Sequence, residues 1–225
     1  MRYGVIAEGN ADIAVIKAVL KSIAGVDGSD VVQIRPSEQL DETDLQALNF
    51  SNWNLVLESC GDKKLLEAYF DAFEEDALLI VQIDTAERGE VGYDITKPFR
   101  TKDTDWKEYS YELRKKVIEK ISRIIPEEYQ LNVAYAVAVE ETDAWLIPLF
   151  DGHCKETAQY ANPKEQLRRL IGRMDGKKKH LFINAAKKNL DYGSMGKEMK
   201  KELRLCRKNN ASLDFFCREL EEKIG

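Results

Sequence analysis

Short apolar runs alternate along residues 1–150 with segments in which apolar residues recur every three or four positions. The runs are typical of buried strands, and the recurrence is typical of amphipathic helices. Because the two patterns alternate, they predict βαβ units and a mainly parallel sheet flanked by helices, an α/β fold. The predicted strands cover residues 3–7, 31–35, 54–59, 77–83 and 131–139.

Helical periodicity follows most of these runs and dominates the last third of the chain. In the first predicted helix the apolar positions from Ile13 to Ile23 share one face. Beyond residue 150 no run is typical of a strand, and Asn162 followed by Pro163 is typical of a helix start. The other predicted helices cover residues 41–48, 65–73, 106–125, 177–190, 197–208 and 212–224.

Composition favours a globular protein without a membrane span. Of the 225 residues 44% are hydrophobic and 33% are charged. No apolar run approaches the ~20 residues that cross a bilayer. The N-terminus lacks the basic and then apolar pattern of a signal peptide. The cysteines have no CxxC spacing, which favours reduced thiols in a cytoplasmic protein over disulfides or a zinc site. They are Cys60, Cys154, Cys206 and Cys217.

The formal net charge of -6 hides a strong asymmetry. Residues 155–208 contain 16 Lys or Arg and 6 Asp or Glu, whereas the rest of the chain contains 18 and 34. We therefore expect two parts, an α/β domain over residues 1–150 and a basic helical lobe over residues 151–225 packed on it. A basic lobe favours nucleic acid as partner, although solvated helix faces would give the same count. The candidate nucleic-acid-binding residues are Arg168, Arg169, Lys177, Lys178 and Lys179.

Three predicted strands end in carboxylates. Glu8 follows the first strand, Asp84 follows the strand over 77–83, and Glu140 and Glu141 follow the last. Ligand sites of parallel α/β sheets lie beyond these strand ends, so the acids are expected to converge. The alternative is that Glu8 is a solvated loop residue and that nearby Asp12 is a charge favoured at a helix N-terminus. The candidate metal ligands are Glu8, Asp12, Asp84, Glu87, Glu140 and Glu141.

Converging carboxylates repel one another, so they share protons or bind a cation. With only His153 and His180 in the chain, a histidine-rich transition-metal site is not expected. Oxygen ligands select Mg²⁺ or Mn²⁺, which commonly bridge to substrate phosphates. Such ions activate water and stabilise the leaving oxygen in phosphodiester cleavage. In this scheme the basic lobe holds the phosphate backbone and the carboxylates hold the metal.

Residues 85–104 are polar and lack apolar periodicity. A loop of about twenty residues within a compact domain is usually functional or disordered. Its position after Asp84 is compatible with a loop that contacts substrate, and disorder is the alternative.

The ordered set of motifs resembles a Toprim domain, the metal-binding α/β domain of topoisomerases, primases and OLD-family nucleases. The resemblance covers residues 1–147 and rests on Glu8-Gly9 after a strand, the glycine turn at 59–61 and Asp84 after the next apolar strand. Residues 8–12 resemble the EGxxE-type opening of the OLD branch, with Asp12 as the second acid. Residues 140–145 are similar to an acidic segment with Trp in small Toprim-like proteins of bacteria and phage-defence loci. The resemblance implies that Glu8 is a general base or metal ligand and that Asp84 is a principal ligand, which makes these two the catalytic candidates.

One departure from the family pattern matters for function. The usual DxD signature is here Asp84-Thr85-Ala86, and Glu87 would replace the second Asp only if the backbone curls back. The leading hypothesis is a Mg²⁺-dependent Toprim-fold nuclease from a phage-defence or mobile-element context. The alternatives are a degenerate Toprim-like protein that binds nucleic acid or a partner without catalysis, and a phosphatase or other Mg²⁺ enzyme on another doubly wound sheet. The sequence leaves open whether the substrate is DNA or RNA, whether a partner ATPase subunit is required, and whether the protein forms a homodimer.

Overall fold

A computed structural model describes residues 1–36, 53–73, 76–184 and 189–225. Within this part of the chain, four parallel strands form the main sheet in the order β2-β1-β3-β4. The predicted mainly parallel α/β fold is thus confirmed. The strands are β1 (Arg2–Ile6), β2 (Val31–Arg35), β3 (Ala77–Asp84) and β4 (Val133–Ala138).

Helices cover both faces of this sheet. None of the helices in the described ranges is both long and apolar enough to cross a bilayer. The helices are α1 (Asn10–Ile23), α2 (Trp53–Gly61), α3 (Lys63–Phe73), α4 (Trp106–Ser122), α5 (Asp143–Leu146), α6 (Pro163–Gly172), α7 (Gly176–Lys179), α8 (Tyr192–Lys208) and α9 (Ala211–Ile224). Short 3₁₀ turns lie at Gly28–Asp30, Glu127–Asn132, Ile147–Leu149 and Thr157–Gln159.

Side chains alternate between two hydrophobic cores, one on each face of the sheet. Val5, Ile80 and Ala136 face the core that α1, α8 and α9 complete, which includes Met199 and Phe216. The neighbouring strand residues face the core built with α2, α3 and α4. Strands buried on both faces explain the continuous apolar runs in the sequence. Helices from the last third of the chain therefore share a core with β1, β3 and β4, while the division at residue 150 stays a prediction.

The predicted strand over residues 54–59 is wrong, because this segment lies in α2. Its buried residues are Trp53, Val56, Leu57 and Cys60, which recur at helical spacing. A short apolar run fits both periods, and in the fold this one packs as a helix against β3. The predicted helix over 41–48 lies outside the described residues.

The predicted helix over residues 177–190 is also wrong. Among the described residues of this range only α7 is helical, and β5 (Ile183–Asn184) pairs with β6 (Asn189–Leu190) as a small antiparallel sheet. Phe182 and Leu190 bury their side chains in this arrangement, and the ring of Phe182 packs edge-on against Phe150 at 4.9 Å between centroids. The expectation of no strand beyond residue 150 is corrected by the same two strands.

Candidate acidic site at the carboxyl edge of the sheet

The register of the sheet brings Glu8 next to Asp84. Arg2 pairs with Ala77 and Ile6 with Val81, so β3 continues past the end of β1 to reach Asp84. The backbone N–H of Asp84 donates a hydrogen bond to Oε1 of Glu8 at 2.7 Å. The carboxylate of Glu8 is therefore held at the end of the neighbouring strand.

The side chain of the buried residue Gln82 connects Glu8 and Asp84 through hydrogen bonds. Gln82 is fully buried on β3, where its Oε1 accepts a hydrogen bond from the backbone N–H of Glu8 at 2.9 Å. Its Nε2 donates to Oδ1 of Asp84 at 2.8 Å and to Oγ1 of Thr142 at 2.9 Å. Gln82 thereby joins the ends of β1, β3 and the segment after β4 through one side chain.

Thr142 fixes the position of the Asp84 carboxylate. Its backbone N–H and its hydroxyl both donate to Oδ1 of Asp84, at 3.0 and 2.9 Å. With the bond from Gln82, three donors meet at this one oxygen. The backbone carbonyl of Asp84 accepts a further bond from the hydroxyl of buried Tyr93 at 2.8 Å. Asp84 is thus the best-anchored acid of the site.

Two more carboxylates, from α1 and α5, lie close to this pair. Asp12 is in the first turn of α1, and Asp143 is the first residue of α5 and is buried. Oδ1 of Asp143 accepts a hydrogen bond from the hydroxyl of Tyr192, the first residue of α8, at 2.7 Å. The side chains of Glu8, Asp12, Asp84 and Asp143 form what we call the acidic cluster.

Burial and the charges of neighbouring carboxylates raise the pKa values of the acidic cluster. Burial raises the pKa of Glu8 to about 8, and the charges of Asp12, Glu87 and Glu141 add to this shift. The hydrogen bond from the Asp84 backbone acts in the opposite direction. Burial and the charge of Asp143 raise the pKa of Asp12 to about 7.

The other two members of the acidic cluster titrate in the same direction. Burial raises the pKa of Asp143 to about 6 against the hydrogen bond from Tyr192. Burial, then the charges of Asp12 and Glu8, raise the pKa of Asp84 well above its ordinary value. Lys164 on α6 lowers the pKa of Asp12 and Asp143, so it is a cation of the basic lobe that acts on the site. Clusters of carboxyls with raised pKa values are characteristic of functional sites.

Glu140, a predicted metal ligand, is placed in an ion pair instead. Its two carboxylate oxygens accept hydrogen bonds from fully buried Arg88 at 2.8 and 2.9 Å, and Arg100 adds a third at 2.5 Å. Two guanidinium groups compensate this carboxylate, so it is not available as the sequence suggested. The backbone of Glu140 has a positive φ of 62°, and its carbonyl accepts from the N–H groups of Thr85 and Ala86.

The same ion pair orders the loop after β3. Arg88, Tyr93 and Ile95 are buried, and the Tyr93 ring stacks on Trp53 with centroids 5.1 Å apart. The guanidinium of Arg100 lies over the rings of Trp106 and Tyr109. Residues 85–104 thus form an irregular loop that packs beside Asp84 through Arg88 and Tyr93, while its contact with substrate stays a prediction.

Glu87 and Glu141 lie at the rim of the acidic cluster. Glu87 is exposed, and its charge contributes to the raised pKa of Glu8. Oε2 of Glu141 accepts a hydrogen bond from the backbone N–H of Lys164 at 3.0 Å. The predicted nucleic-acid-binding residues lie on the surface of α6 and α7, and Arg169 bonds Gln166 within its own helix. They are Arg168, Arg169, Lys177, Lys178 and Lys179.

The sequence reading did not select several residues of the site. Asp143 was visible as a third acid after β4, and its position at a helix start was the signal that would have selected it. Gln82 lies within an otherwise apolar strand, where nothing in the sequence marks it as a site residue. Tyr192 is 49 positions from Asp143, the acid to which it donates. Only the packing of α8 beside α5 brings its hydroxyl to Asp143.

The donor set of the acidic cluster consists of oxygen atoms. Among the described residues, no three His, Cys, Asp or Glu side chains are arranged as a complete metal-binding group. Comparison of the chain with protein-family models, with curated proteins and with solved structures gives no match. Function therefore has to be argued from the site itself.

Proposed function

We propose that this chain is a hydrolase of nucleic-acid phosphodiester bonds that depends on Mg²⁺ or Mn²⁺ and has a Toprim-like fold. The observation that carries the proposal is the acidic cluster, in which acids from β1, α1, β3 and α5 meet at the carboxyl edge of a parallel sheet. Burial raises their pKa values most, and the charges of neighbouring carboxylates raise them further, so the ionised cluster lacks balancing positive charge. A divalent cation would supply that balance.

The residues present fit a hard cation. All candidate donors are oxygens, which suit Mg²⁺ or Mn²⁺ and do not suit softer metals. Mg²⁺ is usually held by one or two carboxylates, several waters and the substrate's own phosphates. A site that lacks a complete set of three protein ligands is compatible with this mode of binding. Asp84 and Asp12 would hold the cation, and when bound it would polarise the phosphate and acidify a water molecule.

The remaining groups position and transfer protons. Glu8 is the candidate general base, because its Oε1 is anchored by the Asp84 N–H and its pKa of about 8 lies near physiological pH. Gln82 and Thr142 keep the Asp84 carboxylate in one orientation through their three hydrogen bonds. The Toprim signature has a second Asp where this chain has Ala86, and here Asp12 or Asp143 would supply the missing carboxylate from another element.

Calorimetric titration with Mg²⁺ and Mn²⁺ tests the proposal, on the wild type and on Glu8→Gln and Asp84→Asn. Asp103→Asn, an exposed acid in the loop before α4, is the matched control. We expect binding by the wild type and the control, and at least tenfold weaker binding by the two site variants. Cleavage of single- and double-stranded DNA and RNA should require the metal and be lost in both site variants. Absence of cleavage on all four substrates with both metals would refute the nuclease proposal.

One observation favours a second candidate, a protein that binds nucleic acid without cutting it. Ala86 removes an acid that the family's catalytic signature contains. In that case binding would be salt-sensitive and indifferent to chelator, and no cleavage would occur. Hydrolysis of small phosphoesters without cleavage of polynucleotides would instead indicate a phosphatase.

A further inference from the structure

A groove lined by lysines runs between α1 and α8. The two helices pack closely because Gly196 lies against Ala14 and Ala18, where an added Cβ would be 3.2 Å from the Ala14 carbonyl oxygen. Further along, the hydroxyl of Ser22 donates to the carbonyl of Lys200 at 3.2 Å. Residue numbers rise together along the two helices, so α1 and α8 run in the same direction.

Both helices begin at the acidic cluster. Asp12 lies in the first turn of α1, and Tyr192, which bonds Asp143, is the first residue of α8. At the end closer to the acidic cluster the groove is lined by Ala14 and Gly193. Ala14 is two residues after Asp12, and Gly193 directly follows Tyr192. The groove therefore leads away from the acidic cluster along the two helices.

Charge and shape of the groove suit a polyanion. Its volume is about 550 Å³, and its floor consists of small residues, Ala14, Ala18, Gly193 and Gly196. Glu198 is the acid among its lining residues, and it pairs with Lys201 at 2.7 Å. The lysines of the groove are Lys17, Lys21, Lys197, Lys200 and Lys201.

Further cations lie on α8 beyond Glu202, whose non-helical φ of −110° and ψ of 22° interrupt the helix. Arg204 and Lys208 are exposed there and line a second cavity of about 760 Å³ together with the acids Glu156, Asp214 and Glu221. From Lys197 to Lys208 the helix rises by roughly 16 Å at about 1.5 Å per residue. That length matches about five nucleotides of a strand that rises about 3.4 Å per nucleotide.

We propose that the groove between α1 and α8 binds the phosphate backbone of a nucleic-acid strand and guides it to the acidic cluster. This inference rests on the proposed function, since it names the surface that presents the substrate to that site. The small side chains on the floor of the groove let the sugar-phosphate backbone of the strand approach closely. The lysines supply positive charge without base-specific contacts. The protein as a whole is negative, so attraction of a strand must come from a local surface of this kind.

The test is the salt dependence of binding to a fluorescent single-stranded DNA 12-mer, measured by anisotropy in EDTA so that cleavage does not interfere. The groove variant is Lys21→Gln/Lys197→Gln/Lys200→Gln, in which all three side chains are exposed. The control, Lys63→Gln/Lys64→Gln/Lys115→Gln on α3 and α4, changes the net charge equally at exposed positions outside the groove. Replacement of the three groove lysines by Arg should retain binding, and thermal melting checks that each variant folds.

Contacts of Lys21, Lys197, Lys200, Arg204 and Lys208 with five phosphates of a single strand would give a slope of about −3.5 in log K against log salt, or a loss of roughly 100-fold between 50 and 200 mM. The groove variant keeps two of these contacts, so its affinity should fall only about sevenfold between 50 and 200 mM salt. We expect the control on α3 and α4 to behave as the wild type. The inference is overturned if groove and control variants weaken binding equally, or if the wild type binds anionic vesicles or an acidic peptide but not the DNA.

These outcomes separate the groove from the chemistry. Groove-dependent binding without cleavage would remove the proposed nuclease function and retain the groove. Metal-dependent cleavage that the groove variant performs as well as the control would retain the function and remove the groove.

Discussion

Replacing Asp143 by Asn should stabilise the protein at alkaline pH, although it removes an acid of the candidate site. Asp143 is buried beside other carboxylates, and burial raises its pKa from 3.8 to about 6. Ionising it therefore costs about 3 kcal/mol more in the folded protein than in the unfolded chain. Asn has the same shape, and its amide oxygen still accepts the hydrogen bond from Tyr192.

The sign of the pH dependence follows from the raised pKa. Below about pH 4 the carboxyl is protonated in both states, and its contribution to folding is fully present. As the pH rises through the folded pKa of about 6, the folded protein must accept a buried charge, and this contribution is lost. The free energy of unfolding of the wild type should therefore fall between pH 4 and pH 8 relative to that of Asp143→Asn.

Urea denaturation at pH 4, 6 and 8, in EDTA and low salt, measures this difference. We expect Asp143→Asn to unfold with a free energy up to about 3 kcal/mol higher than the wild type at pH 8 and nearly equal at pH 4. Asp103→Asn, the exposed control, should change little at either pH. A destabilised Asp143→Asn at pH 8, or an equal change at both pH values, would show that the acidic cluster carries no uncompensated charge.

Two further substitutions separate structural from functional acids. Glu140→Gln should destabilise the protein by about 3–5 kcal/mol in urea at pH 7, because it leaves buried Arg88 without its counter-charge; a change below 1 kcal/mol would refute the ion-pair role. Tyr192→Phe should cost about 1 kcal/mol and raise the pKa of Asp143, since it removes the donor that lowers this pKa. NMR titration of the Asp143 carboxyl carbon measures the latter, and an unchanged or lowered pKa would contradict the proposed contact.

The convergence of acids could be predicted because strand ends are local features. The run from Ala77 to Ile83 is long and apolar enough to be a strand buried on both faces, and Asp84 ends it. Glu8 follows a similar run, and parallel strands place such ends at one edge. The short run at 54–59 could not be assigned in the same way, because six residues fit both the strand and the helix repeat. Packing against β3 determines that this segment is a helix.

The sequence by itself determined the parallel α/β class, the acids at the strand ends and the basic character of the last third, since these depend on residues near one another in the chain. Tertiary structure alone decided which acids share a site. Glu140 is adjacent to Glu141 in sequence, yet it pairs with Arg88 and Arg100, while Asp143 joins Asp12 and Asp84. The order of the strands and the packing of α8 set these contacts, which join residues forty or more positions apart. Local patterns in the chain carry no record of such distances.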